Sequence, residues 1–397
     1  GAFVKREKQV AITINNEELP TEHDAKNPRL IMSVSDALIG VALTGVRQLM
    51  ERHKAAYDAE NVYSTPGIGP RWVSCETFGD WFTEVRKNLG EDLIYILEDS
   101  TRWDAHFKER AKRCEATLVI NPLKFVDNRV KKLMQPRNAS IKSRMGLTTT
   151  QLGIRRCTGE PLTDMGNSEV NVAIKLHIME EPGAQLAGRE LHLGKDYYVA
   201  TCGDDFICVC KRVYFNNLMT IKRLQYGEML SDEAVWELQA RNFGFTGNPV
   251  FTRDLFKAEF CSKLLYPVEE TYLLGGKIGR VLSRAAFFFK NDDNPIQGSC
   301  ISQYRDNYHV PFLHEYFERV IELTRDFVVT HGKEEEHTWH TESQHMYDDN
   351  TFSFVTDRYG LTREDLSAFK TLLQGVVSLP VVIDWPLMFR CVEIDNA

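Results

Sequence analysis

The stretch YYVATCGDDFICVC, residues 197–210, sets two adjacent carboxylates, Asp204 and Asp205, into an otherwise apolar run rich in aromatic and β-branched residues. Strand-forming residues flank Gly203 on both sides, and a glycine as the first central turn residue suits a tight two-residue type II′ connection. The stretch therefore reads as a β-hairpin with both acids on its tip. Two like charges there repel each other unless a cation neutralises them, which points to a divalent metal site.

A two-metal centre needs further carboxylates from a neighbouring element. Upstream, DLIYILED (92–99) has a short apolar core that ends in Glu98 and Asp99, the pattern of a buried strand with a carboxylate at its C-terminal end. EDSTRWD (98–104) adds Asp104, five residues after Asp99. Such a strand beside a hairpin tipped by Asp204 could hold two Mg²⁺ ions at the roughly 4 Å separation used for in-line phosphoryl transfer. Between the two acid sites, CTGEPLTDMGNSEVN (157–171) leads from a glycine-containing loop into a segment where Thr163 and Asn167 lie one helical turn apart. Such a face could read a ribose hydroxyl.

The totals describe an ordinary globular chain. Its 397 residues suit one large domain or two to three lobes around a cleft, and 43% hydrophobic with 26% charged residues argues against disorder. A net charge of −8 excludes a protein coated in basic residues, yet Arg129, Lys131, Lys132, Arg137, Lys142, Arg144, Arg155 and Arg156 fall in one segment with no acidic residue among them. That segregation reads either as a solvated basic face or as a groove for a polyanion. The nine cysteines are scattered and carry neither a disulfide framework nor a zinc spacing. The most apolar stretches, 30–50 and 372–389, are interrupted by charges or prolines, so no membrane span is expected. The opening GAFVKREK has no methionine or signal pattern and reads as the start of a fragment.

Elsewhere, helical periodicity marks 30–55, Glu76 to Leu89, Phe312 to Val328 and Glu364 to Val377. MLSDEAVWELQARNFGF (229–245) reads as a helix capped by Ser231 and closed by Gly244. KAEFCSKLL (257–265) is strand-like. Trp103 and His106 read as packing residues, and His337, His340 and His345 as part of a polar, glutamate-rich loop rather than a metal site.

In their order, these segments resemble the motifs of positive-strand viral RNA-directed RNA polymerases, nearest in pattern to the tombusvirus-like and nodavirus-like enzymes. DSTRWD resembles motif A, and TGEPLTDMGN is similar to motif B with Thr158 in place of the usual serine. CGDD matches motif C, EFCS (259–262) resembles motif E, and FVKREK with PRLI (28–31) resembles the basic motif F. The resemblance covers about two-thirds of the chain, from Phe3 to Ser262. A motif D lysine is not plainly readable; Lys257 is the nearest candidate.

The resemblance implies an α+β right-hand polymerase fold, with fingers, palm and thumb around a small antiparallel palm sheet. Fingers would occupy 1–88 and a basic insertion 126–155, palm 89–125 and 156–268, and thumb 269–397. Asp99, Asp204 and Asp205 would hold two Mg²⁺ or Mn²⁺ ions, with Asp204 the principal shared ligand. Asp104 and Asn167, helped by Thr163, would recognise the ribose of the incoming ribonucleoside triphosphate, while Lys5, Lys8 and Arg29 would contact its triphosphate. Thr158, Gly159, Cys261 and Ser262 would lie against RNA template and product. Other viral replicase proteins would be partners, at membrane-associated replication sites in the host cytoplasm. The alternatives are a reverse-transcriptase-like or dinucleotide-cyclase-like palm enzyme, or a non-catalytic RNA-binding replication protein with a degenerate palm.

Overall fold

A computed structural model describes residues 75–100, 103–121, 151–157, 162–180, 192–285, 295–325, 345–379 and 384–396, with short pieces elsewhere, among them 2–5, 29–32, 67–68 and 138–142. The central element is a five-stranded sheet. Its strands in chain order are β1 (Gly67–Ile68), β2 (Leu93–Ser100), β3 (Tyr197–Cys202), β4 (Asp205–Lys211) and β5 (Gly247–Thr252), arranged β5-β2-β4-β3-β1. All pairings are antiparallel except the short edge pairing of β1 with β3, which is parallel.

Both faces of the three central strands are covered, which is why β2, β3 and β4 read as nearly continuous apolar runs. Side chains alternate across a strand. Tyr95, Leu97, Tyr198, Ala200, Ile207 and Val209 point to one side, where they pack on Phe78, Phe82 and Val85 of helix α1 (Cys75–Leu89). Ile94, Ile96, Val199, Phe206, Cys208 and Cys210 point to the other. There they meet helices α2 (Thr163–Met179), α3 (Arg212–Tyr226) and α4 (Asp232–Asn242), through Val170, Ile174, Leu218, Met219 and Trp236. Cys208 and Cys210, two residues apart, share that buried face as free thiols. Ser231 caps α4 as its sequence suggests, accepting a hydrogen bond from the Ala234 amide at 3.2 Å.

A second, antiparallel sheet of β6 (Glu259–Phe260), β7 (Lys263–Val268) and β8 (Thr271–Gly276) lies between two cores. Leu265 and Leu274 join the α1 side, while Leu264 and Tyr266 join a helical cluster centred on Phe312, Phe317, Tyr359 and Trp385. The helices of that cluster include Leu313–Leu323, Asp349–Tyr359, Arg363–Gln374 and Pro386–Asn396. The expected helices at 312–328 and 364–377 are thus present but shorter at their C-terminal ends.

The expected helix over 30–55 begins differently. Arg29–Met32 is a strand that pairs with Ala2–Lys5, so its backbone groups bond across to a distant segment rather than along a helix. The remainder of 30–55 lies outside the described residues. No helix among the described residues is long and apolar enough to cross a membrane.

Candidate active site

The hairpin of β3 and β4 turns through two residues, Gly203 and Asp204, since Cys202 and Asp205 are register partners. Gly203 has φ +64°, and Asp204 is not among the positive-φ residues. Positive φ at the first central position alone is the type II′ combination. The expectation that both acids sit on the tip needs correction. Asp204 is in the turn, but Asp205 is the first residue of β4, because two turn residues already satisfy the twist of the flanking strands.

That placement puts Asp205 directly opposite Asp99 of β2. Both belong to the alternation that carries Leu97 and Ile207, so both carboxylates leave the sheet on the α1 face. Glu98, by the same rule, points the other way. It is buried and meets Lys175 of α2, Trp236 Nε1 at 2.6 Å and Ser100 Oγ at 3.1 Å. Of the two acids that end DLIYILED, one is a core ion-pair partner and the other faces the hairpin acids.

The charges on this face crowd one another. Burial, and then the negative charges of Asp204 and Asp99, push the Asp205 carboxyl up to about 7. A hydrogen bond from Cys261 works in the opposite direction. Cys261 and Ser262 form the β6–β7 turn, both at positive φ (53° and 61°), so the EFCS segment is a tight hairpin whose tip reaches Asp205. The Cys261 thiol is itself pushed well above the usual thiol range by a hydrogen bond with Cys202, by burial, and by the nearby charges.

Helix α2 holds the turn from behind. Ser168 Oγ accepts from the Gly203 amide at 2.8 Å, and Asn171 Nδ2 donates to the carbonyls of Gly203 and Asp204 at 3.1 and 3.3 Å. Both residues are fully buried. Sequence reading missed them; Asn171 lies on a stripe with Asn167 and Lys175 at fourfold spacing, the sign of polar groups aimed into the protein, whereas Ser168 carries no such signal.

Asn167 and Asp104 are brought together, with Asn167 Nδ2 donating to Asp104 Oδ1 at 3.3 Å. Asp104 sits in a single helical turn after β2, fixed by the buried Trp103, whose ring stacks on Phe245 at 4.1 Å. Thr163 does not join this pair. Its hydroxyl lies 2.8 Å from the Glu160 carbonyl and 3.1 Å from that of Cys157, where its proton tethers the loop ahead of α2.

The basic segment also needs correction. Arg156 is 0% exposed and ion-paired with Glu115 and, at 2.9 Å, with Glu160, so it cannot line a polyanion groove. Its charge is taken up by one buried and one partly exposed carboxylate rather than offered at the surface. Lys132 is exposed and Arg155 half-buried; the side chains of Arg129, Arg137, Lys142 and Arg144 lie outside the described residues.

Lys5 and Arg29 are register partners in the N-terminal strand pair, which brings the two halves of the basic N-terminal motif side by side. Their side chains, and Lys8, Thr158 and Gly159 entirely, are outside the described residues. Lys257 is largely exposed and pairs with Asp254 at 2.7 Å. No group of three or more His, Cys, Asp or Glu side chains among the described residues is arranged to hold a metal ion as it stands.

No family model matches the chain, and no curated protein is similar to it in sequence. Solved structures are similar in fold. The RNA-dependent RNA polymerase of a human picorbirnavirus superposes with a TM-score of 0.53 at 15% identity, over 74% of this chain and 51% of that one. An insertion loop deletion mutant of the same polymerase gives 0.52 at 13% identity, over 74% and 53%. The chain spans about half the length of these structures, and over that half its mixed helix and sheet fold is similar to that of a viral RNA-dependent RNA polymerase.

Proposed function

We propose that this chain performs template-directed RNA synthesis by two-metal nucleotidyl transfer, as part of a viral RNA-directed RNA polymerase. The observation that carries the reading is the convergence of Asp99, Asp204 and Asp205 at one end of the central sheet, beside the Asp104–Asn167 pair. In this reading the central sheet and its helices are the palm, the C-terminal helices the thumb, and residues 1–88 with the 126–155 segment the fingers.

The donor set fits hard divalent cations. All three side chains are carboxylates, and the upward push on Asp205 from Asp204 and Asp99 marks a concentration of negative charge that a cation relieves. Bound there, Mg²⁺ would supply Lewis-acid activation of the primer hydroxyl and neutralise the leaving pyrophosphate. Asp104 and Asn167 then offer a carboxylate oxygen and an amide N–H to the 2′-hydroxyl that distinguishes ribonucleotides. Lys5 and Arg29, paired on adjacent strands, suit the triphosphate.

The purified chain is expected to extend an RNA primer on an RNA template with Mg²⁺ or Mn²⁺ present. Asp204→Asn should reduce incorporation on the order of 10²–10³-fold, the scale for losing one preorganised electrostatic contact at a reacting centre. Wild-type incorporation by that variant would refute the catalytic assignment.

A further inference from the structure

We infer that Arg156 is a positioning residue for ribose selection, which orients the Asn167 amide so that its NH₂ group faces Asp104. The inference rests on the polymerase reading above and names a residue that touches no substrate.

Each edge of the Arg156 guanidinium has a partner. Nε donates to Asn167 Oδ1 at 2.9 Å, Nη1 to Glu160 Oε2 at 2.9 Å, and Nη2 to Glu115. Its Cζ lies 4.2 Å from the Phe107 ring centroid, and the Arg156 amide donates to the Phe107 carbonyl at 3.1 Å. Lys112 bridges Glu115 and Glu160 from the other side. Gly166 lets α2 close onto this cluster: a Cβ there would lie 1.8 Å from Glu115 Oε1. The guanidinium is therefore held from every side before it reaches Asn167.

An asparagine amide has an acceptor end and a donor end of nearly identical shape. Arginine is donor-only, so the amide carbonyl must face Nε. An ionised carboxylate is acceptor-only, so the NH₂ group must face Asp104, where it donates at 3.3 Å. Placed between these two neighbours, the amide has one consistent orientation. Without Arg156 the amide would keep only the 3.3 Å contact to Asp104, its carbonyl would lose its donor, and it would swing out of the plane that presents its N–H beside the Asp104 carboxylate. A 2′-hydroxyl, which both donates and accepts, is matched only by the first arrangement, and a 2′-deoxy sugar leaves it unmatched.

Arg156→Lys keeps a positive charge for Glu115 and Glu160 but loses the fork that also reaches Asn167. The test compares steady-state incorporation of a ribonucleotide and its 2′-deoxy counterpart by the full chain, with Mg²⁺ on an RNA primer–template. The ratio of their kcat/KM values is expected to fall about tenfold. The loss should appear in the KM of the ribonucleotide, with the 2′-deoxy substrate changed less than about twofold. In an Asn167→Ala background, Arg156→Lys should have no further effect on the ratio, because it acts through that amide. Should Arg156→Lys lack a cooperative melting transition, Glu115→Gln keeps the guanidinium, weakens one anchor, and should lower the same ratio by a smaller factor.

An equal loss for both nucleotides, an unchanged ratio, or a full further loss in the Asn167→Ala background would overturn the positioning role and leave the polymerase reading standing. No incorporation by the unsubstituted chain would overturn both.

Discussion

Asp205 and Asp99 stand directly opposite each other on adjacent antiparallel strands, with Asp204 one residue away in the turn. Like charges in that relationship destabilise a sheet, and burial, reinforced by the charges of Asp204 and Asp99, raises the Asp205 carboxyl to about 7. For a carboxyl raised in the folded state, the linked stability is present below its unfolded value of 3.8 and is lost as pH rises through about 7. Asp205→Asn should therefore raise the melting temperature at pH 8 without divalent cations, by about 1 °C for each kcal/mol of repulsion relieved in a chain of this length, while lowering the proposed RNA synthesis. Calorimetry at pH 5 and pH 8 checks it; a variant less stable than wild type at pH 8 would contradict the charge-crowding account.

The grip of α2 on the hairpin turn can be tested apart from the acids. Ser168→Ala removes the acceptor for the Gly203 amide, leaving a buried donor unmatched, at a cost of about 1–3 kcal/mol. The turn it releases carries Asp204. Denaturant unfolding should show the loss in midpoint, and incorporation should fall more than stability alone explains when measured well below the melting temperature.

Glu98 and Lys175 form an ion pair with almost no exposure. Burial pulls the Lys175 ammonium down and Glu98 opposes this. Lys175→Met leaves Glu98 charged and unmatched in the core, expected to cost about 3–5 kcal/mol, whereas the double change with Glu98→Gln should recover much of it. Equal destabilisation by the single and double variants would argue that packing rather than charge governs this position.

His309 is fully buried beside the three-stranded sheet, and its imidazole is pushed down to about 3, first by burial and then by the charges of Lys263 and His345. Here the unfolded state takes up the proton first, so stability falls as pH drops below the ordinary value of 6.5 and continues to fall until about 3. The slope is up to about 1.4 kcal/mol per pH unit. His309→Phe should flatten the dependence between pH 6 and pH 4 in chemical denaturation; an unchanged slope would assign it to other groups.

Much of the local structure around the candidate site was legible because its signals are local. A glycine ahead of two acids between strand-forming runs specifies a tight hairpin, and DLIYILED specifies a buried strand that ends in a carboxylate. The capped helix after Ser231 and the packing role of Trp103 were readable for the same reason. Segments whose partners are distant were misread. Leu30–Met32 fall at the start of the segment read as a helix over 30–55, but Arg29–Met32 pairs as a strand with Ala2–Lys5. Arg156 sits in a run of basic residues, yet its two carboxylate partners come from other segments.

By itself, then, the sequence determined which residue types lie near one another along the chain: the acid pair in its turn, the upstream acids, and the polar face of the segment after the loop. Only the tertiary structure decided which acid faces which. Strand alternation sends Glu98 to the helices and Asp99 to the hairpin, and register, not proximity in sequence, sets Asp205 against Asp99. The same long-range packing turns Ser168 and Asn171 onto the GDD turn. Hydrogen bonds and ion pairs between distant segments depend on how layers stack, and no single segment carries that information.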